Sequence, residues 1–467
     1  MTRFRRVRLA LVSTLAAAGL TWLAPLREAR DQSGLGSLPP GVSRSDLNLL
    51  IVTLDTTRAD HLGAYGFQSI STPNIDWLAR DGVLFLQTSA AAPLTMPAHA
   101  SLYTGRFPFG HGVRDNADFA LDPGQTTLAE VLQQRGYDTG AFVSSVVLAS
   151  SRGLNQGFDS YRDDFASVPG ALRRRADEVT DDALTWLARV GSSRFLAWLH
   201  FYDAHAPYQP RSPYLESYPA RPYDAEIAFM DAQIGRVLDF LRQGELLDRT
   251  IVVVIADHGE GLGDHREPAH GIFVYDSVIR VPFIVRTPFA GLRARIVDDV
   301  TRSVDVMPTL LDLIDVPGPD AIDGRSLVPM MTGSGPTLNL DAYSESMYPL
   351  RRFGWSDLRA LRSGRFKVIA APRPELYDLE RDPFEEHNVF DTERALGERM
   401  IDRLREMEMS ASSSGPSRAR AEIDADTAAK LASLGYVSRP GVSSPTDRSE
   451  LPDPKDQIGT LNPGGLP

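Results

Sequence analysis

Three nearly continuous apolar segments, each followed at once by acidic or histidine residues, constrain the fold of this chain most strongly. They cover residues 47–54, 194–200 and 250–256, and a similar run lies at 281–286. Such runs are typical of strands that are buried on both faces of a parallel sheet. Apolar residues with helical spacing lie between them, at 74–80, 127–135, 176–189, 225–242 and 303–314. The alternation predicts an α/β fold with a mostly parallel central sheet and helices on both sides.

The chain is predicted to comprise an export signal or N-terminal anchor, a polar linker, a main α/β domain, a smaller C-terminal sheet subdomain and a disordered tail. These segments cover residues 1–27, 28–45, 46–338, 339–436 and 437–467, in that order. An arginine-rich start before the apolar run at 9–25 is typical of export to the periplasm or the cell exterior, and an uncleaved run would be a membrane tether. Two short apolar runs around Ser363-Gly364-Arg365 predict a hairpin in the subdomain. The tail lacks an apolar pattern that could offset the entropy of ordering it.

The charge balance and the absence of cysteine exclude several classes of function. Acidic residues outnumber basic residues by 61 to 49, for a formal net charge of −12. This argues against a nucleic-acid partner, because phosphate neutralisation needs clustered Lys and Arg. With no cysteine, the chain has no disulfide, thiolate metal site or cysteine nucleophile. No lysine precedes Lys367, so arginine and histidine carry the positive charge of the main domain.

Acidic and histidine residues follow three of the predicted strands, and these positions predict a divalent-metal site. Asp55 ends the first strand, Asp203 and His205 follow the second, and Asp257 and His258 follow the third. The carboxyl ends of the strands of an open α/β sheet lie at one edge, so these side chains are expected to converge. Carboxylates and neutral imidazoles suit Zn, Mn or Mg. For any one strand-ending Asp taken alone, a helix cap or a turn is the alternative.

Thr95 is the candidate nucleophile. Pro97 is placed as the first residue of a helix that Gly105 could end, so Thr95 is expected just before a helix N-terminus. Free backbone N–H groups at that position favour anions. A threonine hydroxyl is a poor nucleophile unless a nearby divalent cation lowers its pKa. A plain capping role for Thr95 is the alternative.

Several motifs resemble the sulfatase family of the alkaline phosphatase superfamily. They are Leu-Asp-Thr-Thr-Arg-Ala-Asp-His-Leu-Gly at 54–63, Thr-Pro-Asn-Ile-Asp at 72–76, the segment from Thr95 to Leu-Tyr-Thr-Gly-Arg at 102–106, His-Phe-Tyr-Asp-Ala-His-Ala-Pro-Tyr at 200–208 and Ala-Asp-His-Gly-Glu at 256–260. Glu-Leu-Tyr-Asp-Leu-Glu-Arg-Asp-Pro at 375–383 resembles the family's C-terminal signature, and Leu-Ala-Ser-Leu-Gly-Tyr at 431–436 resembles the end of bacterial members. The resemblance implies an α/β sandwich with a smaller C-terminal sheet domain and a metal-assisted covalent attack on a sulfate or phosphate ester.

The resemblance also implies roles for single residues. Asp55, Asp257 and His258 match metal ligands, and Thr95 matches the nucleophile, which also contacts the metal. Active sulfatases carry a formylglycine made from Cys or Ser in a Cys/Ser-x-Pro-x-Arg motif, where this chain has Thr95-Met96-Pro97-Ala98-His99. They also hold sulfate with lysines that this chain lacks. No formylglycine is therefore expected.

The remaining pattern is similar to the threonine-dependent phosphoethanolamine transferases and nucleotide pyrophosphatase/phosphodiesterases. His205 and His270 match histidines that contact phosphate in the transferases, and Asn116 matches an asparagine that binds the oxyanion in the phosphodiesterases. Asp203 is a further candidate, as a ligand of a second metal. His99 is a candidate for substrate binding and for orienting the Thr95 loop, with helix packing as the alternative.

These residues predict an exported, metal-dependent hydrolase or transferase that acts on a small-molecule or envelope-component phosphate ester. Zn or Mn is the preferred ion, with Ca and Mg as alternatives. Two other readings stay open. One is a sulfatase that works without formylglycine, and the other is a catalytically silent protein that binds a metal or ligand in the same fold. The oligomeric state stays open as well.

Overall fold

The structure is a computed structural model that describes residues 34–165, 173–335, 337–412, 425–436 and 450–461. The predicted export signal at 1–27 lies outside the described residues, and so do residues 28–33 of the predicted linker. None of the helices in the described ranges is both long enough and apolar enough to cross a membrane.

The strands and helices alternate along the first three hundred residues or so, as the apolar pattern predicts. The strands are β1 (Asn48–Leu54), β2 (Val83–Ser89), β3 (Asp138–Phe142), β4 (Ser160–Arg162), β5 (Phe195–Phe201), β6 (Thr250–Ala256), β7 (Arg280–Arg286), β8 (Arg295–Arg302), β9 (Asp341–Ser346), β10 (Leu358–Ser363), β11 (Phe366–Ala370) and β12 (Glu375–Asp378). The α-helices are α1 (Pro73–Asp81), α2 (Thr95–Thr104), α3 (Pro108–His111), α4 (Leu128–Gln133), α5 (Ala176–Val190), α6 (Tyr214–Ser217), α7 (Pro222–Gln243), α8 (Asp276–Ile279), α9 (Val306–Leu313), α10 (Val328–Thr332), α11 (Arg394–Ser412), α12 (Ala425–Ser433) and α13 (Pro454–Gln457).

A large central sheet organises the main domain. Its strand order is β4-β3-β5-β1-β6-β7-β2-β8. β7 is antiparallel to β6 and β2, and the other neighbouring pairs are parallel. Every residue of β1, β5 and β6 is buried, because helices cover both faces of the sheet. The structure therefore confirms the predicted α/β fold with a mostly parallel sheet.

Two helical layers enclose this sheet. α1, α5 and α7 pack together on one face, whereas α2 contacts α4 and α9 on the other. Two residues of β5 show the alternation. Phe195 contacts Trp186 of α5, and Trp198 contacts Tyr103 of α2.

A smaller antiparallel sheet, β12-β11-β10-β9, forms the C-terminal part. β10 and β11 are the predicted hairpin, with Ser363 paired to Phe366 and Gly364 in the left-handed region at φ 57°. α11 packs on β10 and β11. The small sheet is attached beside the end of β2, where the N–H of Glu345 in β9 donates to the carbonyl oxygen of Ala91 at 3.0 Å.

Part of the predicted disordered tail is ordered, which corrects that prediction for residues 450–461. Asp453 accepts hydrogen bonds from the N–H groups of Lys455 and Arg373, both at 3.1 Å. Lys455 also pairs with Glu375 of β12, and Ile458 is buried. Hydrogen bonds and ion pairs of Asp453 and Lys455 thus hold this segment, although it has no apolar pattern from which order could be predicted. Residues 437–449 and 462–467 lie outside the described residues.

Candidate active site

Asp55, Asp257 and His258 meet at the carboxyl edge of the central sheet. β1 and β6 pair with Leu54 opposite Ala256, so the residue that follows each strand lies next to the other. One ligand atom from each of the three residues lies within 4.8 Å of the others. His258 Nε2 is 3.5 Å from Asp257 Oδ2 and 3.9 Å from Asp55 Oδ1. We call these three residues the metal group.

The hydrogen bonding of the metal group fits a divalent cation. Asp257 Oδ1 accepts from the backbone N–H of His258 at 2.8 Å, whereas Asp257 Oδ2 and Asp55 Oδ1 are buried without a hydrogen-bond partner among the described residues. His258 donates from Nδ1 to the carbonyl oxygen of Gly259 at 3.0 Å, so Nε2 is left as a ligand atom. Burial raises the pKa of Asp55 to about 7. Two unpaired buried carboxylate oxygens and the imidazole Nε2 beside them are a donor set that a cation would satisfy.

Thr95 brings a hydroxyl to the metal group. Its Oγ1 donates to Asp55 Oδ2 at 3.4 Å and lies 3.5 Å from His258 Nε2. α2 begins at Thr95, two residues before the predicted first residue Pro97. A proline is accepted throughout the first helical turn, because those N–H groups have no partner within the helix. Thr95 therefore lies in the first turn, where the positive end of the helix dipole favours developing negative charge.

His99 holds the backbone of Thr95. Trp198 Nε1 donates to Thr53 Oγ1 at 2.9 Å, so the Thr53 hydroxyl directs its own hydrogen to His99 Nε2 at 3.0 Å. His99 Nδ1 then donates to the carbonyl oxygen of Thr95 at 2.8 Å. Burial lowers the pKa of His99 to about 4, so the ring is neutral. Both ring nitrogens are used, which leaves no atom for a substrate and favours the positioning role over the predicted substrate contact.

Removal of the Thr53 hydroxyl tests this positioning role. Thr53→Val is expected to lower kcat roughly tenfold with little change in KM, because His99 loses the partner that fixes its tautomer and Thr95 loses alignment. Steady-state kinetics measures the split. Thr88→Val is the matched control, since Thr88 is also a buried strand threonine and, within the described ranges, its hydroxyl bonds only to Thr301 at 2.8 Å. Equal kcat values for Thr53→Val and the wild-type chain would contradict the role.

His205 and His270 present free nitrogens beside the metal group. His205 donates from Nδ1 to the carbonyl oxygen of Ala206 at 2.7 Å, and His270 Nδ1 is 3.1 Å from Glu260 Oε1. The Nε2 atoms of both rings are buried without a partner in the described part of the chain. The ring centroid of His270 is 5.0 Å from that of His205 and 4.5 Å from that of His258. Because Nδ1 of His205 carries the hydrogen of the neutral ring, its Nε2 donates to an oxygen of an anion only when the ring is protonated, whereas the tautomer of His270 depends on Glu260.

Asn116 supplies a third free polar group. Its Oδ1 accepts from the N–H of Met96 at 2.8 Å, while its Nδ2 is buried without a described hydrogen-bond partner. The completely buried Arg152 fixes the backbone here, because its guanidinium donates to the carbonyl oxygens of Asn116 at 2.6 Å and Ala117 at 3.0 Å. Asn116 therefore offers an amide N–H beside the start of α2.

Asp203 lies outside the metal group, and its role as a ligand of a second metal stays a prediction. Its Oδ2 accepts from the N–H of Ala176 at 2.9 Å, at the first residue of α5, and its Oδ1 lies 3.6 Å from Arg175. Asp203 thus has the helix-cap role that is the alternative for a strand-ending acid. Burial raises the pKa of Asp203 to about 7.

Three supporting residues, His200, Glu260 and Arg152, have roles that only the structure reveals. His200 accepts from the N–H of Ser144 at 3.3 Å, so its Nε2 donates to Asp55 Oδ2 at 3.2 Å and orients that carboxylate. Glu260 orients His270, and Arg152 orients Asn116. His200 and Glu260 lie inside the motifs that resemble the family, and that position could have marked them as site residues. Arg152 lies in no motif, and only its buried contacts reveal it.

Glu267 gives the loop that contains His270 a pH-dependent stability. Glu267 Oε1 accepts from the N–H groups of Ile272 and Phe273 at 2.8 and 3.2 Å. Burial raises the pKa of Glu267 from 4.5 to about 8. The folded state therefore holds this proton more tightly than the unfolded state, and stability that is fully present below pH 4.5 is lost as the pH rises toward 8.

Glu267→Gln should remove this dependence, because a glutamine oxygen can accept the same two hydrogen bonds without ionising. The Tm of the variant relative to the wild-type chain is expected to rise between about pH 5 and about pH 9. Thermal unfolding across this range measures the difference, and the other buried acids act equally in both proteins. Parallel pH profiles would show that Glu267 does not carry the effect.

Family models and known proteins match this architecture. The Sulfatase model matches residues 47–316, and the model of the C-terminal part of N-sulphoglucosamine sulphohydrolase matches residues 267–410. Arylsulfatase K of Mus musculus is 25% identical in an alignment 462 positions long, gaps included, that covers 82% of this chain and 81% of that protein. The putative sulfatase yidJ from Bacteroides fragilis superposes with a TM-score of 0.69 at 21% identity, over 80% of this chain and 98% of that one. The phosphonate monoester hydrolase of Agrobacterium radiobacter superposes with a TM-score of 0.68 at 23% identity, over 78% of this chain and 96% of that one. With more than half of its length matched by the Sulfatase model, the chain belongs to the sulfatase family of hydrolases.

Proposed function

We propose that this sulfatase-family protein is an exported, metal-dependent enzyme that cleaves phosphate esters through Thr95. The observation that carries the proposal is the position of the Thr95 hydroxyl, 3.4 Å from Asp55 Oδ2 and 3.5 Å from His258 Nε2. A threonine at this point is a nucleophile candidate only because a cation site adjoins it. The substrate class is a small-molecule or envelope-component ester, and the net charge of −12 disfavours a nucleic-acid partner.

Asp55, Asp257 and His258 would hold the divalent cation, with Zn or Mn preferred. A bound cation there would lower the pKa of the Thr95 hydroxyl and offset negative charge on the ester. The other groups follow from the hydrogen bonding. Asn116 Nδ2 donates to an oxygen of the ester. Burial lowers the pKa of His205 and of His270 well below its ordinary value, so these rings donate from Nε2 once the charge of the bound ester has raised that pKa.

The reaction has two displacement steps. Thr95 Oγ loses its proton and forms a bond to phosphorus, the bond from phosphorus to the leaving oxygen breaks, and that oxygen takes up a proton. Water or an acceptor alcohol then attacks the phospho-threonine, which releases the product and restores the Thr95 hydroxyl. Hydrolase and transferase outcomes differ only in this second attacking group.

The lack of any lysine in the first 366 residues favours phosphate over sulfate esters as the substrate class. Lys367 is buried and forms ion pairs of 2.8 Å with Asp276 and Glu385, so it is committed outside the metal group. Histidine and asparagine take the place that lysines hold in sulfatases. Family membership supports a sulfatase without formylglycine as the second candidate. A silent binding protein is a weaker third candidate, since it has no need of a hydroxyl beside two buried carboxylates.

A substrate panel tests the proposal. The full chain is assayed with p-nitrophenyl phosphate, bis-p-nitrophenyl phosphate, p-nitrophenyl phenylphosphonate and p-nitrophenyl sulfate, each with Zn, Mn, Ca or Mg. A phosphate ester is expected to exceed the sulfate ester in kcat/KM by about tenfold or more. Turnover of sulfate alone would overturn the preference for phosphate, and metal binding without any turnover would favour the silent protein.

A further inference from the structure

The segment at 431–436 carries a side chain from the C-terminal part of the chain into the candidate active site. α12 ends in a Schellman motif, in which the N–H of Tyr436 donates to the carbonyl oxygen of Leu431 at 3.0 Å and the N–H of Gly435 donates to that of Ala432 at 3.1 Å. Gly435 has the positive φ of 90° that this motif requires. The motif reverses the chain, and Tyr436 points into the body of the protein.

Packing holds Tyr436 in this position. Leu431 and Tyr436 are both buried, and α12 contacts the turn at Val146–Leu148. The Tyr348 hydroxyl donates to the carbonyl oxygen of Gly435 at 3.3 Å, and the Tyr348 ring meets the Tyr436 ring edge-on at a centroid distance of 6.5 Å. The backbone and the ring of Tyr436 are thus fixed by contacts that do not involve its hydroxyl.

The hydroxyl of Tyr436 faces the active site. It approaches the side chain of Asn116, and burial followed by the nearby charge of Asp55 raises the pKa of Tyr436 well above its ordinary value. Neither this hydroxyl nor Asn116 Nδ2 completes a hydrogen bond within the described residues, although both are buried. Buried polar groups are nearly always paired. Asn116 Nδ2 carries two hydrogens and can donate one of them to the Tyr436 hydroxyl, but its second hydrogen and the Tyr436 proton still have no acceptor among the described residues, which indicates an acceptor that the chain does not supply.

We propose that Tyr436 is a catalytic residue whose hydroxyl, together with Asn116 Nδ2, donates a hydrogen bond to a non-bridging oxygen of the transferred phosphoryl group. The inference rests on the proposed function and extends its site to the C-terminal segment. An acceptor that contacts both groups is held by the C-terminal segment as well as by the metal group. Complete binding of the ester therefore requires α12 to be docked.

Tyr436→Phe tests the proposal, because it removes the hydroxyl and keeps the ring that packs on Tyr348. The full-length variant is expected to lose about 10- to 100-fold in kcat/KM for the best phosphate ester of the panel. Its Ki for inhibition by orthovanadate is expected to rise by a similar factor, while Tm and the amount of bound metal stay at the wild-type values. The vanadate measurement is one that a purely structural role would leave unchanged.

Tyr103→Phe is the matched control. Tyr103 is also buried, and its hydroxyl has no hydrogen-bond partner among the described residues, but it packs against Trp198 and Phe158 in the core. This variant should keep wild-type kinetics. If the wild-type chain is active and Tyr436→Phe matches it in kcat/KM and in vanadate inhibition, this inference is overturned and the proposed function stands. A wild-type chain inactive on every phosphate ester would instead remove the proposed function on which it rests.

Discussion

Replacement of Thr95 by alanine is expected to lower kcat/KM for phosphate esters by about a thousandfold or more. The variant loses the atom that bonds to phosphorus, and no other hydroxyl of the described residues lies within hydrogen-bond distance of both Asp55 and His258. Asp55, Asp257 and His258 remain, so bound metal should persist. Residual activity would come from ester activation by the cation and its neighbours alone.

Two comparisons make the Thr95 result specific. Thr95→Ser keeps a hydroxyl and should retain far more activity than Thr95→Ala. Thr104→Ala removes a buried threonine hydroxyl from the other end of α2, where it donates to the carbonyl oxygen of Ala100 at 2.6 Å, and should leave kcat/KM near the wild-type value. Wild-type activity in Thr95→Ala would exclude Thr95 as the nucleophile.

Removal of the metal is the second change with a large expected effect. Treatment with a chelator should abolish activity, and addition of Zn or Mn should restore it. It should also lower Tm, because two buried carboxylate oxygens, Asp55 Oδ1 and Asp257 Oδ2, then have no partner among the described residues. An ion at one hundred times its Kd stabilises the folded state by about 2.7 kcal/mol, which amounts to several degrees in Tm.

A pair of aspartate variants separates the metal group from other buried acids. Asp257→Asn keeps the acceptor for the N–H of His258 but loses a charged ligand, so the metal-dependent rise in Tm should shrink. Asp203→Asn changes a buried strand-end acid that caps α5, and it should keep the full metal-dependent rise. An equal metal-dependent rise in Tm in both variants would show that the ion does not bind at Asp257.

Much of the fold was predictable because its central strands are buried on both faces. The apolar runs that became β1, β5 and β6 gave strand bounds within one residue of those observed. β8, by contrast, mixes exposed and buried residues in Arg-Ile-Val-Asp-Asp-Val-Thr-Arg, and its pattern does not stand out in the sequence. The ordered part of the tail could not be predicted either, because isolated polar contacts such as that between Asp453 and Arg373 produce no periodic pattern in the sequence.

The site was predictable to the extent that parallel pairing determines it. Register alone places Asp55 beside Asp257, because the residues before them are paired. The strand pattern does not show in which direction the chain turns after the strand ends. Asp203 therefore could not be assigned from the pattern, and in the structure it points to α5 and not to the metal group. Tyr436 is more than three hundred residues from Thr95 in sequence, and only the packing of α12 brings it to Asn116.

The covalent intermediate gives the most direct test of the central claim, which is nucleophilic attack by Thr95. The metal-loaded wild-type chain is mixed with its best phosphate ester, quenched in acid during turnover, digested and examined by mass spectrometry. The expected result is a peptide that carries one phosphoryl group on Thr95 and that is absent from Thr95→Ala. A phosphoryl group on another residue, which persists in Thr95→Ala, would contradict the claim.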